Sequence, residues 1–277
     1  MATKTINLKP EYAARAIKKY LSGSQDTNHR YLSWEHCYLA FHNARNKKAE
    51  GHNPDYDYLS LHLACYLSSW GMLRNSFLLQ RDYRTHLEIV KLLLHDRYEK
   101  LWDFPAWQNE NQNTNNLKER WETIAKIRED FATKYNVKDD STDNTDESET
   151  SITATLTTKI LLGTCACVPA TDRFYKLGVA TFGGTQRLGY NSYSEVVRYY
   201  WSNGDEISSH LAETSLATSD DPSTPYPPMK LMDMCFWQIG NSIEFYNKNR
   251  GGSSIFSKLT EENKYAVLHS LLESPVD

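Results

Sequence analysis

Residues 154–174 read ATLTTKILLGTCACVPATDRF, and the interpretation of the whole chain depends on this stretch. Its first half is apolar at most positions, which predicts one buried helix from Thr153 to Cys167. Pro169 is expected to end that helix, because a proline disfavours helical backbone at the preceding residue. A short Pro-bounded turn then presents a single carboxylate, Asp172, followed at once by a basic and an aromatic residue.

Helical periodicity continues on both sides of this stretch. Apolar residues recur three or four positions apart in further segments, which predicts further helices. Most of these segments begin with a residue that favours a helix start, and Ser192 with Glu195 has the spacing of a capping box. The other start residues are Pro10, Ser33, Asp55, Asp82, Asn116, Pro228 and Thr260.

No convincing alternating pattern of strands is found, so the sequence predicts an all-α protein. Its 277 residues are enough for one large domain or two closely packed lobes. The stretch 137–151 is acidic and rich in Ser and Thr, which predicts a mobile loop, and 214–228 is predicted to be a second polar loop.

Charge and cysteine content restrict the class of protein. The formal net charge is −4, but six acidic residues lie between 139 and 149, where there is no Lys or Arg, so the remainder carries +2. A phosphate-binding face is therefore compatible with the composition. Cys165 and Cys167 lack a second Cys or His pair nearby, so we expect no metal. The absence of a long apolar run and of a signal region predicts a cytoplasmic protein without a membrane span.

Residues 152–201 resemble the catalytic region of the helix-hairpin-helix DNA glycosylase superfamily. In that family the second helix of a hairpin leads through a Pro-containing turn to an invariant Asp, and an Arg-Leu-Gly-like turn and another helix follow. This chain has Asp172 after its turn and then Arg187-Leu188-Gly189. The resemblance implies a single globular unit, 1–277, of two packed helical lobes. The hairpin is degenerate, because Ser151-Ile152-Thr153 stands where the family has a Gly-apolar-Gly turn.

The resemblance also implies a chemistry. Asp172 would be the catalytic carboxylate, stabilising positive charge on the sugar and orienting water. Bifunctional family members carry a catalytic Lys upstream, where this chain has Ala154. The implied activity is therefore that of a monofunctional glycosylase, which excises a base by hydrolysis, leaves an abasic site and needs no cofactor. The implied partner is double-stranded DNA, and the implied state is a monomer.

Aromatic and basic residues supply the remaining candidate contacts. The family has Leu-Ser-x-Gln at the end of an upstream helix, and here Leu67-Ser68-Ser69-Trp70 puts Trp70 at the position of the wedge that fills the gap left by a flipped base. The other candidates for the base pocket are Tyr66, Tyr193 and Trp237. Candidate phosphate contacts are Ser151, Thr153, Lys159, Arg173, Arg74 and Arg250. An aromatic wedge is compatible with a bulky modified base and with defence against phages that carry modified genomes.

Two alternatives come from other classes of protein. Arg81 and His86 have the spacing of the Arg and His of HEPN-type ribonucleases, which cleave a phosphodiester in a dimeric cleft. A non-enzymatic helical binding module would use the same aromatic residues for packing or for a partner surface. Under either alternative, Asp172 is an ordinary helix cap.

Overall fold

The computed structural model describes residues 4–23, 28–74, 76–102, 114–139, 151–211, 214–219 and 224–273. Helices dominate these ranges, which confirms the predicted all-α class. The α-helices are α1 (Pro10–Ser22), α2 (Leu32–Ala49), α3 (Tyr56–Ser69), α4 (Leu87–Leu93), α5 (Thr114–Tyr135), α6 (Ala154–Thr164), α7 (Arg173–Thr181), α8 (Tyr190–His210), α9 (Pro228–Asn249) and α10 (Glu261–Glu273). Short 3-10 turns cover Tyr83–His86, Asp96–Leu101 and Phe256–Lys258.

Several predicted helix starts are confirmed by their contacts. Asp55 caps α3, because its Oδ1 accepts a hydrogen bond from the backbone N–H of Tyr58 at 3.0 Å. The hydroxyl of Thr260 accepts from Asn263 N at 3.4 Å in the first turn of α10. Pro10 and Pro228 each occupy the first residue of a helix, where a proline loses no intrahelical hydrogen bond.

Other predicted starts are wrong by a few residues. α2 begins at Leu32, and the Ser33 hydroxyl donates back to Arg30 O instead of capping. α5 begins at Thr114, ahead of Asn116. Asp82 caps the 3-10 turn at Tyr83–His86, and α4 follows that turn.

The capping box predicted from Ser192 and Glu195 is also wrong. α8 begins at Tyr190, and Ser192 Oγ accepts from the backbone N–H of Gly189 at 3.0 Å. Glu195 lies one turn further along, where its carboxylate accepts from the backbone N–H of Thr185 at 2.7 Å and from the Thr185 hydroxyl at 2.9 Å. Glu195 therefore fixes the turn before α8.

The predicted helix 153–167 is shorter than expected. Thr153 caps α6, accepting from Leu156 N at 3.1 Å, and the helix ends at Thr164. Ala166 has a φ of 50°, and this left-handed backbone takes the chain out of the helix before Pro169 can act. The proline therefore follows a turn instead of ending a helix.

The two predicted loops are described only in part. Residues 140–150 of the acidic stretch 137–151 lie outside the described residues, and at its ends β1 (Lys138–Asp139) pairs in parallel with β2 (Ser151–Ile152). In the stretch 214–228, the backbone N–H of Leu216 donates to Thr224 O at 2.9 Å. Residues 220–223 of that stretch lie outside the described part.

By its internal contacts the chain divides into two compact units. The first unit comprises Met1–Thr27, Thr171–Thr214 and Pro228–Asp277. The second unit comprises Asn28–Ala170 and Ser215–Pro227. The chain passes from the second unit to the first between Ala170 and Thr171, so Asp172 is the second residue of the returning segment.

α6 is the central helix of the second unit, and every residue from Leu156 to Thr164 is buried. The indole N–H of Trp34, on α2, donates to Leu162 O at 2.8 Å. Gly163 allows Tyr66 of α3 to approach, because a Cβ on that glycine would lie 2.2 Å from the ring. Helices α2 and α3 are thus fixed against one buried helix.

In the first unit α7 and α9 pack at very short range. A Cβ on Gly178 of α7 would lie 2.0 Å from Phe236 O, and a Cβ on Gly240 of α9 would lie 1.9 Å from Phe174 O. Only glycine permits this approach of two helix backbones. The start of α7, where Asp172 stands, is therefore held in place by a close backbone contact.

Candidate active site

Asp172 is the N-cap of α7. Its Oδ1 accepts hydrogen bonds from the backbone N–H groups of Phe174 at 3.1 Å and Tyr175 at 3.0 Å. The positive end of the helix dipole favours a negative charge at this position. Asp172 is half-buried, and the buried residues Ala170 and Thr171 come directly before it. The predicted site carboxylate is therefore fixed in place on a residue that is partly exposed.

A row of aromatic rings runs from the first turn of α7 into the core of the first unit. Phe174 packs edge-on against Trp237, with ring centroids 5.2 Å apart, and Trp237 packs edge-on against Tyr20 at 5.6 Å. Trp237 is only 5% exposed. It was predicted to line a base pocket, but here it is a core residue that supports the start of α7.

A buried ion pair lies in the first turns of α9. Lys230 Nζ is 3.1 Å from Asp233 Oδ2, and it also donates to the hydroxyl of Tyr20 at 3.4 Å. Neither residue of this pair was among the candidates predicted from the sequence. The sequence does contain a pattern that predicts the pair: a lysine and an aspartate three residues apart inside an apolar helix have to pair when both are buried.

Trp70, the candidate wedge, is half-buried at the end of α3. Its indole stacks on the ring of Tyr31, with centroids 5.6 Å apart and planes inclined by 10°. Two cations lie near the same indole: Lys159 Nζ at 4.3 Å and Arg30 Cζ at 5.4 Å from the ring centroid. Trp70 is thus held by a stack and by cation–π contacts within the second unit.

Lys159 does not fit its predicted role as a phosphate contact. The residue is 2% exposed, within the buried stretch of α6, and its ammonium group lies against the indole of Trp70. The charge of a lysine is visible in the sequence, whereas the burial of its helix follows only from the packing. Lys159 makes a cation–π contact with Trp70, and we no longer propose it as a contact to DNA.

Tyr66 and Tyr193 are also core residues. They are 1% and 2% exposed, and both rank among the largest fully buried side chains. Tyr66 fills the space beside Gly163, and Tyr193 lies in the first turn of α8. Their spacing on helices reflects packing, so neither is carried forward as a wall of a base pocket.

The remaining candidate phosphate contacts have different surroundings. Arg74 and Arg250 are exposed, and Arg250 Cζ lies 4.0 Å from the ring centroid of Tyr246. Arg173 is also exposed, and its Nη2 lies 3.1 Å from Glu244 Oε1. The hydroxyl of Thr153 is used to cap α6, and the side chain of Ser151 lies outside the described part of the chain.

His86 and Arg81, the residues of the ribonuclease alternative, do not have the surroundings of an acid–base pair. His86 is 1% exposed and its Nδ1 lies 2.7 Å from the hydroxyl of Tyr135. Burial lowers the pKa of His86 to about 4, which keeps the ring neutral near neutral pH. Arg81 Nη1 donates to Tyr135 O at 3.0 Å.

The sulfur atoms of Cys165 and Cys167 lie 3.4 Å apart in the buried turn after α6. Among the residues that the structure describes, no group of three His, Cys, Asp or Glu side chains could hold a metal ion. None of the described helices is long and apolar enough to cross a membrane.

Comparison with known proteins does not assign a family. No protein-family model, no curated protein and no solved structure matches the chain.

Proposed function

We propose that the protein is a monofunctional DNA glycosylase and that Asp172 is its catalytic carboxylate. The observation that carries the proposal is the fixed position of this group. Two backbone N–H groups hold one of its oxygens, α7 is locked against α9, and the residue stays in contact with solvent. This arrangement supports the order of features on which the resemblance rests: a buried helix, a Pro-containing turn, an Asp and a further helix.

The chemistry follows from the charge on that group. As the bond between C1′ and the base nitrogen breaks, its electron pair leaves with the base and the sugar becomes positively charged. A fixed carboxylate lowers the energy of that state, because it is already oriented when the charge develops. Asp172 then accepts a proton from water while the water oxygen bonds to C1′; the departing base takes up one proton from solvent, and Asp172 returns one to the solvent. An abasic site and a free base result.

The proposed substrate is double-stranded DNA that carries a modified base. The target base has to leave the helical stack, which costs a few kcal/mol, and an aromatic side chain can fill the gap. Trp70 is the candidate for that role, because its indole is held rigidly by Tyr31 and Lys159 while remaining half-exposed. Arg74, Arg173 and Arg250 are the exposed candidates for phosphate contacts.

The test uses the purified full chain with duplex oligonucleotides that contain unmodified bases, uracil, N-alkylated purines, or hydroxymethylated and glucosylated cytosine. Abasic sites are scored by strand cleavage in hot alkali. At least one substrate is expected to yield abasic sites, and Asp172→Asn is expected to lower the rate about 100-fold or more. Asp55→Asn makes the same chemical change at the cap of α3 and should keep the wild-type rate. If no substrate yields abasic sites, or if Asp172→Asn is as active as the wild type, the proposal is wrong.

A further inference from the structure

A groove in the second unit, far along the sequence from Asp172, has the features of a small-ligand site. It lies between the last turns of α3 and the segment 78–86, and its volume is about 420 Å³. Pockets for small molecules begin at about 300 Å³. Its floor and walls combine apolar side chains, such as Leu73 and Leu78, with polar groups from the turn that precedes α4.

The most informative wall residue is His86, because it is buried and yet lines the groove. Its Nδ1 lies 2.7 Å from the hydroxyl of Tyr135. Within the described part of the chain, Nε2 has no hydrogen-bond partner. One polar atom of a buried ring is thus left for something that enters the groove.

The protonation of that ring follows from its neighbour. The hydroxyl of Tyr135 has no other acceptor among the described residues, so it donates to Nδ1 of His86. The proton of the neutral imidazole therefore sits on Nε2. His86 offers an N–H donor to the groove, and a ligand has to supply an acceptor.

A positively charged guanidinium group at the rim of the groove favours a negatively charged acceptor. Arg81 lines the groove, and it is fixed there by its bond to Tyr135 O and by the ring of Phe77, 5.1 Å from its Cζ. The bond to Tyr135 uses one of its five N–H groups, and the others remain for a ligand. Asp82 is also at the rim, where its Oδ1 accepts from the backbone N–H of Arg84.

We propose that this groove binds a small organic oxyanion, a carboxylate or a phosphate monoester with a compact apolar body. One of its oxygens accepts from Nε2–H of His86, a second is paired with the guanidinium of Arg81, and its apolar part packs on Leu73 and Leu78. Charge-assisted bonds of this kind are the strong ones in a partly buried site. The inference goes beyond the glycosylase proposal and does not depend on it.

Cys65 provides a direct measurement of occupancy. It lines the groove and is exposed, whereas the other four cysteines of the chain are buried. Iodoacetamide, a small neutral reagent, should therefore alkylate Cys65 selectively, and intact mass gives the rate. The probes are phenyl phosphate and benzoate, which distinguish the two kinds of oxyanion, with benzyl alcohol as the neutral control.

A ligand of this size is expected to bind with a Kd of about 1 mM, so at about 10 mM it fills about 90% of the sites and slows alkylation about tenfold. Arg81→Gln should raise the Kd about tenfold, because a charged partner is lost, so that the same ligand concentration slows alkylation only about twofold. Arg84→Gln is the matched control: it removes an exposed arginine that does not line the groove, and protection should be unchanged.

The imidazole ¹⁵N–¹H spectrum of the wild-type protein tests the same contact without any substitution. The Nε2–H signal of His86 is expected to shift when either anion is added and to stay in place with benzyl alcohol. The proposal is overturned if neither anion protects Cys65, if benzyl alcohol protects equally well, if Arg81→Gln is protected like the wild type, or if the Nε2–H signal does not move.

Discussion

The neutral state of His86 makes the stability of the protein depend on pH in a defined direction. Burial lowers its pKa to about 4 in the folded protein, against an ordinary value of 6.5. As the pH falls below 6.5, the unfolded chain takes up the proton first, so stability is lost between about pH 6.5 and pH 4. The loss amounts to about 2 kcal/mol at pH 5 and approaches about 3 kcal/mol below pH 4.

His86→Asn isolates this contribution. The asparagine amide can accept from the Tyr135 hydroxyl near the position of Nδ1, but it does not titrate. The free energy of unfolding is measured by urea titration at about pH 7.5 and about pH 5. Between the two pH values, the wild type should lose about 2 kcal/mol more than the variant.

Other histidines do not disturb this comparison. Burial also lowers the pKa values of His42 and His62, and both titrate equally in wild type and variant. His52→Asn, a change at an exposed histidine, should keep the wild-type dependence on pH. If the wild type and His86→Asn lose the same free energy between the two pH values, His86 is not held neutral, and the argument for its Nε2–H donor in the groove is refuted as well.

Three further substitutions test contacts within each of the two units, the first two by thermal or urea denaturation and the third by amide hydrogen exchange. Gly178→Ala puts a Cβ 2.0 Å from Phe236 O and should cost about 3 kcal/mol or more, and a wild-type melting temperature would refute the close contact of α7 with α9. Trp34→Phe removes the donor to Leu162 O and should cost about 1–3 kcal/mol, and no loss would show that α6 does not need this bond. Glu35→Gln weakens the bonds to Thr218 and Tyr226, so the Thr218 amide should exchange about tenfold faster or more with solvent, and unchanged exchange would contradict the role of Glu35 in holding Thr218.

Local signals in the sequence predicted much of the fold. Prolines at residues 10 and 228, the capping Asp55 and the capping Thr260 begin helices where they were expected, because each acts on the two or three residues that follow it. The errors arise where several neighbouring residues can each start a helix. Ser33 and Ser192 have the chemistry of a cap, but neighbouring residues start those helices one or more positions earlier.

The end of α6 was not predictable from Pro169. The residue types do not predict the left-handed backbone conformation of Ala166, because the packing of the turn sets that conformation. The proline is a valid signal, but it acts only on its immediate neighbour.

For the candidate site, the order of residues in the sequence predicted the position of Asp172 at the start of α7. It did not predict which of the other candidate side chains are buried. Asp172 stands where the turn was expected to present it. Lys159, Tyr66 and Tyr193 have the right types for contact with DNA, but they lie on buried faces that only the packing of helices reveals. The hydrogen bonding of His86 beside the groove was not predicted, because its partner, Tyr135, is distant in sequence.

The most direct test of the central claim separates the two roles of Asp172, capping and catalysis. A serine also caps a helix, and the lost charge at the helix N-terminus costs at most about 1 kcal/mol, so Asp172→Ser should stay folded. It removes the carboxylate, so single-turnover formation of abasic sites on the preferred duplex should fall about 100-fold or more. A stable Asp172→Ser protein that forms abasic sites at the wild-type rate would show that Asp172 is a helix cap and nothing more.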